Sequence, residues 1–168
     1  MLRKFLFGSS FFCMQLWLGA SLFLSFIVAP ILFKTFGVEI AADVMGAVFP
    51  FYGYLNVACA AMGLLGLLLA WRARTRIGER IYLPGLAALV LTLGLSAAQA
   101  FYLFPRSHEL RNLVKGGRVA GSLESIAPQA AEMMSLHRVS IVINNGTILI
   151  LLFLAWVYYR VARDWDKV

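Results

Sequence analysis

VSIVINNGTILILLFLAWVYY, residues 139–159, carries no Asp, Glu, Lys or Arg, and it decides what kind of fold this chain can adopt. Lipid cannot satisfy backbone N–H and C=O groups, so a chain crosses a hydrocarbon core of about 30 Å as a helix of roughly 20 residues. The run has that length. Three more charge-free runs, 5–33, 44–71 and 81–105, have it too. Together they predict an all-α integral membrane bundle of four transmembrane helices in a single domain, 1–168. Helices are expected at approximately 8–34, 49–72, 81–105 and 128–162, joined on one side by an outer loop, 106–127.

Composition agrees with this reading. Hydrophobic residues make up 61% of the chain and charged residues 14%, with a mean hydropathy of +0.81. Soluble domains carry roughly half apolar residues and about a quarter charged. Arg3 and Lys4 precede the first apolar run as in a signal peptide, but that run exceeds the roughly 7–15 residues of a cleavable core, and Pro30 follows its one suitable small residue. The first helix is therefore expected to stay as an anchor. Phe12 before Cys13 is too bulky for a lipidation site, and Cys13 and Cys59, far apart in different helices, read as small packing residues.

Lys and Arg set the expected orientation. Nine of them (Arg3, Lys4, Arg72, Arg74, Arg76, Arg80, Arg160, Arg163 and Lys167) fall on one side and six (Lys34, Arg106, Arg111, Lys115, Arg118 and Arg138) on the other. The richer side is cytoplasmic by the positive-inside rule, which places both termini in the cytoplasm of a bacterial inner (plasma) membrane. The pI near 9.9 belongs to this topology and to anionic lipid, and no basic cluster is interleaved with stacking aromatics, so nucleic acid is not an expected partner.

Between the first two runs, Val38, Ala41, Ala42, Met45 and Val48 recur at helical spacing with Glu39 and Asp43 on the remaining arc, which predicts a short interfacial helix. Cys59, Gly63 and Gly66 form a small-residue side of the second helix. Pro84, Ala88, Thr92, Ser96 and Ala100 form a seam along the third, where close approach replaces the hydrophobic drive that lipid removes.

The polar residues of the last run set the functional question. At 100° per residue, Gln129, Met133, His137, Ser140, Asn144 and Thr147 share an arc of about 80°, while Arg138 and Asn145 fall opposite. Asn56 and Gln99 are expected at a depth matching Asn144, so Asn56, Gln99, His137, Ser140 and Asn144 form a candidate polar cluster in the outer half of the bilayer. Buried carboxamides need partners in lipid, so such a cluster either fixes helix packing or lines a pocket. His108, Met133 and His137 are weak candidates for copper, and the two histidines for haem ligation, but no cofactor is the primary expectation. No serine has both a base and an acid to orient it, so no catalytic residue is assigned and enzymatic activity is not favoured. Asn145 faces away from the cluster and has no role in this reading.

WLGASLFLSFIVAPILFK, FPFYGY, FYLFPRSHELR and MMSLHRVSIVIN together resemble the small four-helix membrane family of unknown function that includes the transmembrane protein 205-like proteins. Its most specific pieces are the helix-breaking Ala29, Pro30 and Phe33 and the pattern Leu136, His137, Ser140, Asn144. A more distant similarity in layout is to copper-resistance D-like membrane proteins. The resemblance implies a four-helix integral membrane protein without a settled activity. The functional expectation is a small transporter or transport-associated protein using the outer polar cluster. The alternatives are a structural or accessory subunit, then a metal- or haem-binding protein. Membrane lipid, a homo-oligomer or a membrane partner subunit are the expected partners.

Overall fold

The computed structural model describes residues 2–72, 79–121 and 123–165. The described residues are helical but for a turn at 120–121: α1 (Leu2–Phe23), a π-helical turn (Leu24–Val28), α2 (Ala29–Arg72), α3 (Glu79–Ala98), a second π-helical turn (Gln99–Leu103), α4 (Phe104–Val119) and α5 (Leu123–Trp165). Three stretches, Phe5–Arg72, Ile81–Val119 and Ile126–Arg163, are long and apolar enough to cross a membrane. The chain is a multi-pass helical membrane protein.

The first stretch is not straight. Ser21 Oγ and Tyr52 Oη lie 2.6 Å apart, whereas residues 31 apart on one straight helix would be separated by about 46 Å at 1.5 Å per residue. The reversal occurs at Gly37, whose φ of 75° and ψ of 173° are the non-helical angles inside α2. That region of backbone space is essentially closed to residues with a Cβ. Residues 38–48 are helical, as their spacing predicts, but they run through Pro50 into the rest of α2 without forming a separate element.

The stretch 106–127 differs most from expectation. Its polar composition and glycines predict a loop, yet α4 extends to Val119 and α5 opens at Leu123. The helix gains its stability from partners outside its own sequence. Leu110 and Val114 are buried, and Arg111, Lys115 and Arg118, at i, i+4 and i+7, pair with Asp43 and Glu39. Only Ala120 and Gly121 interrupt it among the described residues, and Gly121 has a positive φ of 70° suited to a helix terminus.

The bundle has two unlike ends. At the near end, where α1 begins and α5 finishes, Phe7, Met14, Trp17, Leu67, Leu89, Leu154, Tyr158 and Val161 form one continuous core. The small residues expected on the second helix are buried there. A Cβ on Gly66 would come within 1.9 Å of Ser10 Oγ, and one on Gly63 within 2.7 Å of Met14 Sδ. The Tyr158 hydroxyl donates to Gly63 O. The seam of α3 turns inward from Thr92 through Ser96 to Ala100, but Pro84 is exposed and Gly85 takes its place in the contact.

Candidate functional site

Each π-helical turn immediately precedes an X-Pro pair: Leu24–Val28 before Ala29–Pro30, and Gln99–Leu103 before Phe104–Pro105. Proline lacks the N–H that an α-helix would send to the carbonyl four residues back, Phe26 for Pro30 and Phe101 for Pro105, and its ring crowds that carbonyl. Widening the turn relieves the crowding. Ala29 N–H accordingly bonds to Leu24 O, and Phe104 N–H to Gln99 O, both five residues back. Such insertions occur in membrane helices where neighbours accommodate the altered backbone, and they frequently mark functional sites.

A cavity of about 540 Å³ lies between these two turns, α2, α4 and α5. It collects most of the sequence-predicted polar residues. Gln99, His137, Ser140 and Asn144 line it, as do all three weak metal candidates, His108, Met133 and His137. Ala29 and Phe33 of the helix-breaking motif form part of its wall, with Pro30 exposed outside it.

The polar groups are partly committed to one another. Gln99 Nε2 donates to Ser140 O at 3.3 Å, and Asn144 Nδ2 donates to Ser25 Oγ at 2.9 Å. Tyr52, which also faces the cavity, shares its hydroxyl with Ser21. His137 is exposed.

Asn56 is the exception to the expected cluster. It is buried but does not line the cavity, and it lies one helical turn beyond Tyr52 towards the near end. Its Oδ1 has no hydrogen-bond partner among the described residues, nor have Trp17 Nε1, Ser96 Oγ and Thr147 Oγ1. Each of the four is one turn beyond a residue already described: Ser21, Tyr52, Gln99 or Asn144. Depth counted from helix ends predicts Asn56 level with Gln99 and Asn144, whereas it is Tyr52, one turn earlier on the second helix, that lines the cavity.

Asn145 is the reverse case. The helical wheel turns it away from the cluster, yet it lines the cavity at an exposed edge. The signal sequence reasoning lacked was the width of the opening. A cavity edged by one helix face admits neighbours of that face as well.

Above the cavity, α4 and the segment after Gly37 form a cap. Asp43 binds Lys115 Nζ at 2.5 Å and Arg111 Nη2 at 2.6 Å, Arg118 meets Glu39 at 3.2 Å, and Arg111 also donates to the carbonyls of Ala42 and Glu39. The hydrogen bond from Lys115, joined by the charges of Arg111 and Lys115, holds the Asp43 carboxyl below its ordinary range; Asp43 stands in the polar link between the charge-free runs 5–33 and 44–71. Arg106 bridges Glu132 of α5 at 2.9 Å and Glu109 at 2.8 Å. Phe49 and Phe104 stack beneath the cap with ring centroids 5.3 Å apart. Arg111 and His108, placed in the expected loop and not in the polar cluster, both face the cavity. The i, i+4, i+7 basic spacing opposite Glu39 and Asp43 was the signal that could have found this arrangement.

For metal chemistry the cavity offers the imidazoles of His108 and His137 and the thioethers of Met45, Met133 and Met134. No group of three or more His, Cys, Asp or Glu among the described residues is arranged to hold an ion.

The fold and cavity define a class: a multi-pass helical membrane protein with a polar-sided cavity at one end of its bundle. The chain belongs to the DUF4149 family, a domain of unknown function, which matches residues 12–115, more than half of its length. The match covers both π-helical turns and most of α4, while His137, Ser140 and Asn144 lie beyond it. It agrees with the expectation of a family without a settled activity, and confirms neither the transmembrane protein 205-like nor the copper-resistance D-like assignment. No curated protein and no solved structure matches the chain.

Proposed function

We propose that this is a small transporter or transport-associated protein of the bacterial inner membrane, with four membrane-spanning helices and both termini in the cytoplasm. The observation that carries the reading is the cavity itself, which brings Gln99 of the second π-helical turn together with His137, Ser140 and Asn144 of α5. Polar groups in a membrane span are costly and tend to face functional space. The reversal at Gly37 supports counting Phe5–Arg72 as two spans, and residues 38–48 then form the interfacial piece at the outer surface. The excess of Lys and Arg near the termini and the 72–80 link supports the orientation.

The test pairs function with stability. His137→Ala and Asn144→Ala should fail to complement a deletion strain while His137→Ala, altering an exposed residue, leaves thermal stability unchanged. Full complementation by both variants would sink the transport reading. A reporter at the C-terminus that works only outside the cytoplasm should stay silent.

A second reading has its own support. Gln99 and Asn144 spend donors on Ser140 O and Ser25 Oγ, as expected of a packing or accessory role. It predicts that both variants complement, with Asn144→Ala less stable.

A further inference from the structure

The cavity is capped at its far end but open at its side. α5 packs against α1, α3, α4 and the second π-helical turn, and α2 is not among its main neighbours. The Asn144–Ser25 hydrogen bond therefore ties α5 to the first helix just where the π-helical turn begins to carry Ala29–Phe36 away from it. Beyond that tie, Phe33 on one side and Met134 and Ile141 on the other line the cavity while being 39%, 57% and 46% exposed. Phe33 and Ile141 stand at the ends of charge-free runs, close to Lys34 and Arg138, with Asn144 and Asn145 further in, which puts this slot at the edge of the lipid hydrocarbon.

The lining chemistry is one-sided. Among the described residues its basic side chains are His108, Arg111 and His137, and no carboxylate lines it. Arg111 is held by Asp43 from the cap side. The two histidines and the carboxamides of Asn144 and Asn145 add donors, and the remaining wall is largely apolar. The volume of about 540 Å³ suits one chain with a small head group, within the range of ordinary ligand pockets.

We propose that the cavity binds a single-chain anionic amphiphile, a long-chain carboxylate, which enters from the bilayer through the slot between Phe33 and Ile141. Its head group meets the basic, donor-rich wall and its chain lies along the aromatic and methionine wall. Asn145 stands at the lip of the slot, where a carboxamide facing hydrocarbon gains a partner as the head group passes. This rests on the reading of the cavity as a ligand site and gives that ligand a class.

The experiment uses the full chain in phosphatidylcholine vesicles with a diazirine-bearing palmitic acid as probe, and maps photolabelled residues by mass spectrometry. Labelling should concentrate on Phe33, Met134 and Ile141, and unlabelled palmitate should compete about tenfold better than palmitamide, the scale of one charge-assisted hydrogen bond. Ile141→Trp should abolish this labelling and Leu149→Trp, on the exposed face of the same helix, should not. His137→Gln, at an exposed position that folding tolerates, should narrow the preference for palmitate over palmitamide. Labelling spread evenly along α5, equal competition by palmitamide, or competition by acetate as effective as by palmitate would each overturn the proposal. If labelling fails but His137→Ala still loses complementation, the amphiphile is wrong and the ligand site stands. If labelling succeeds and both alanine variants complement, the site binds amphiphile and the transport reading falls.

Discussion

The two ends of this bundle are made by the same helices and obey different rules. At the near end, glycines let side chains pack against the helix backbone: Gly66 receives Ser10, Gly63 receives Met14, and the Tyr158 hydroxyl reaches the Gly63 carbonyl. At the far end, two prolines widen their helices, a cavity of about 540 Å³ opens, and ion pairs across exposed surface hold the cap. The difference teaches that stability and openness can be separated along one set of helices. Close packing at one end anchors elements whose other ends are free to diverge.

The largest expected effect lies in the near core. Leu154 is fully buried, so Leu154→Ala should cost about 3 kcal/mol in reversible denaturant unfolding, whereas Met133→Ala in the cavity wall should cost less than about 1 kcal/mol because no close-packed shell is lost. Equal losses would erase the contrast. Next, Gly66→Ala should cost about 1–3 kcal/mol by overpacking Ser10. Gly46→Ala meets only Nη1 at the end of the Arg111 side chain, 2.9 Å away, and should cost less than Gly66→Ala in the same assay.

A smaller effect on stability, but a sharper one on shape, is expected at Pro105. With the proline gone, the crowding that favours the π-helical turn disappears, and Pro105→Ala should be as stable as the parent or more so. A cysteine placed at position 137, with Cys13 and Cys59 replaced by Ala, should then label more slowly with a membrane-impermeant thiol reagent. Unchanged labelling would detach the π-helical turn from the opening.

The least effect should come from the cap. Asp43→Asn should lower the melting temperature slightly, and added salt should remove the difference, since exposed ion pairs are screened. The carboxyl of Asp43 is lowered in the folded state, so its stabilising contribution is complete above its unfolded value of about 3.9 and is lost as pH falls through the still lower folded value. The melting temperatures of parent and Asp43→Asn should therefore converge below about pH 4. Convergence already at neutral pH would contradict the pairing.

The near end and part of the cavity were legible in the sequence because both depend on spacing along one helix. Cys59, Gly63 and Gly66 announced a close contact, and the wheel of α5 put His137, Ser140 and Asn144 on one face. What spacing along one helix could not supply was how the helices sit against one another, which leaves Asn56 below the cavity, and how wide the cavity opens, which brings Asn145 to its edge. Nor could local composition reveal α4. Its helix is completed by Glu39 and Asp43, about 70 residues earlier in the chain, so its stability is tertiary and its sequence alone resembles a loop. The two X-Pro pairs were visible as helix breakers, but their role in widening the helix appears only when the bonds from Ala29 and Phe104 are traced to carbonyls five residues back.

Gly37 ties these observations into a mechanism of movement. It is a one-residue joint between Ala29–Phe36, which forms one jamb of the slot, and residues 38–46, which carry the acidic half of the cap. A change of backbone angle at this joint would move the jamb relative to the segment that carries Asp43 and Glu39, and the ion pairs of the cap oppose it. Salt that loosens the cap should therefore also widen the slot, making ionic strength at the cap a control on access to the cavity.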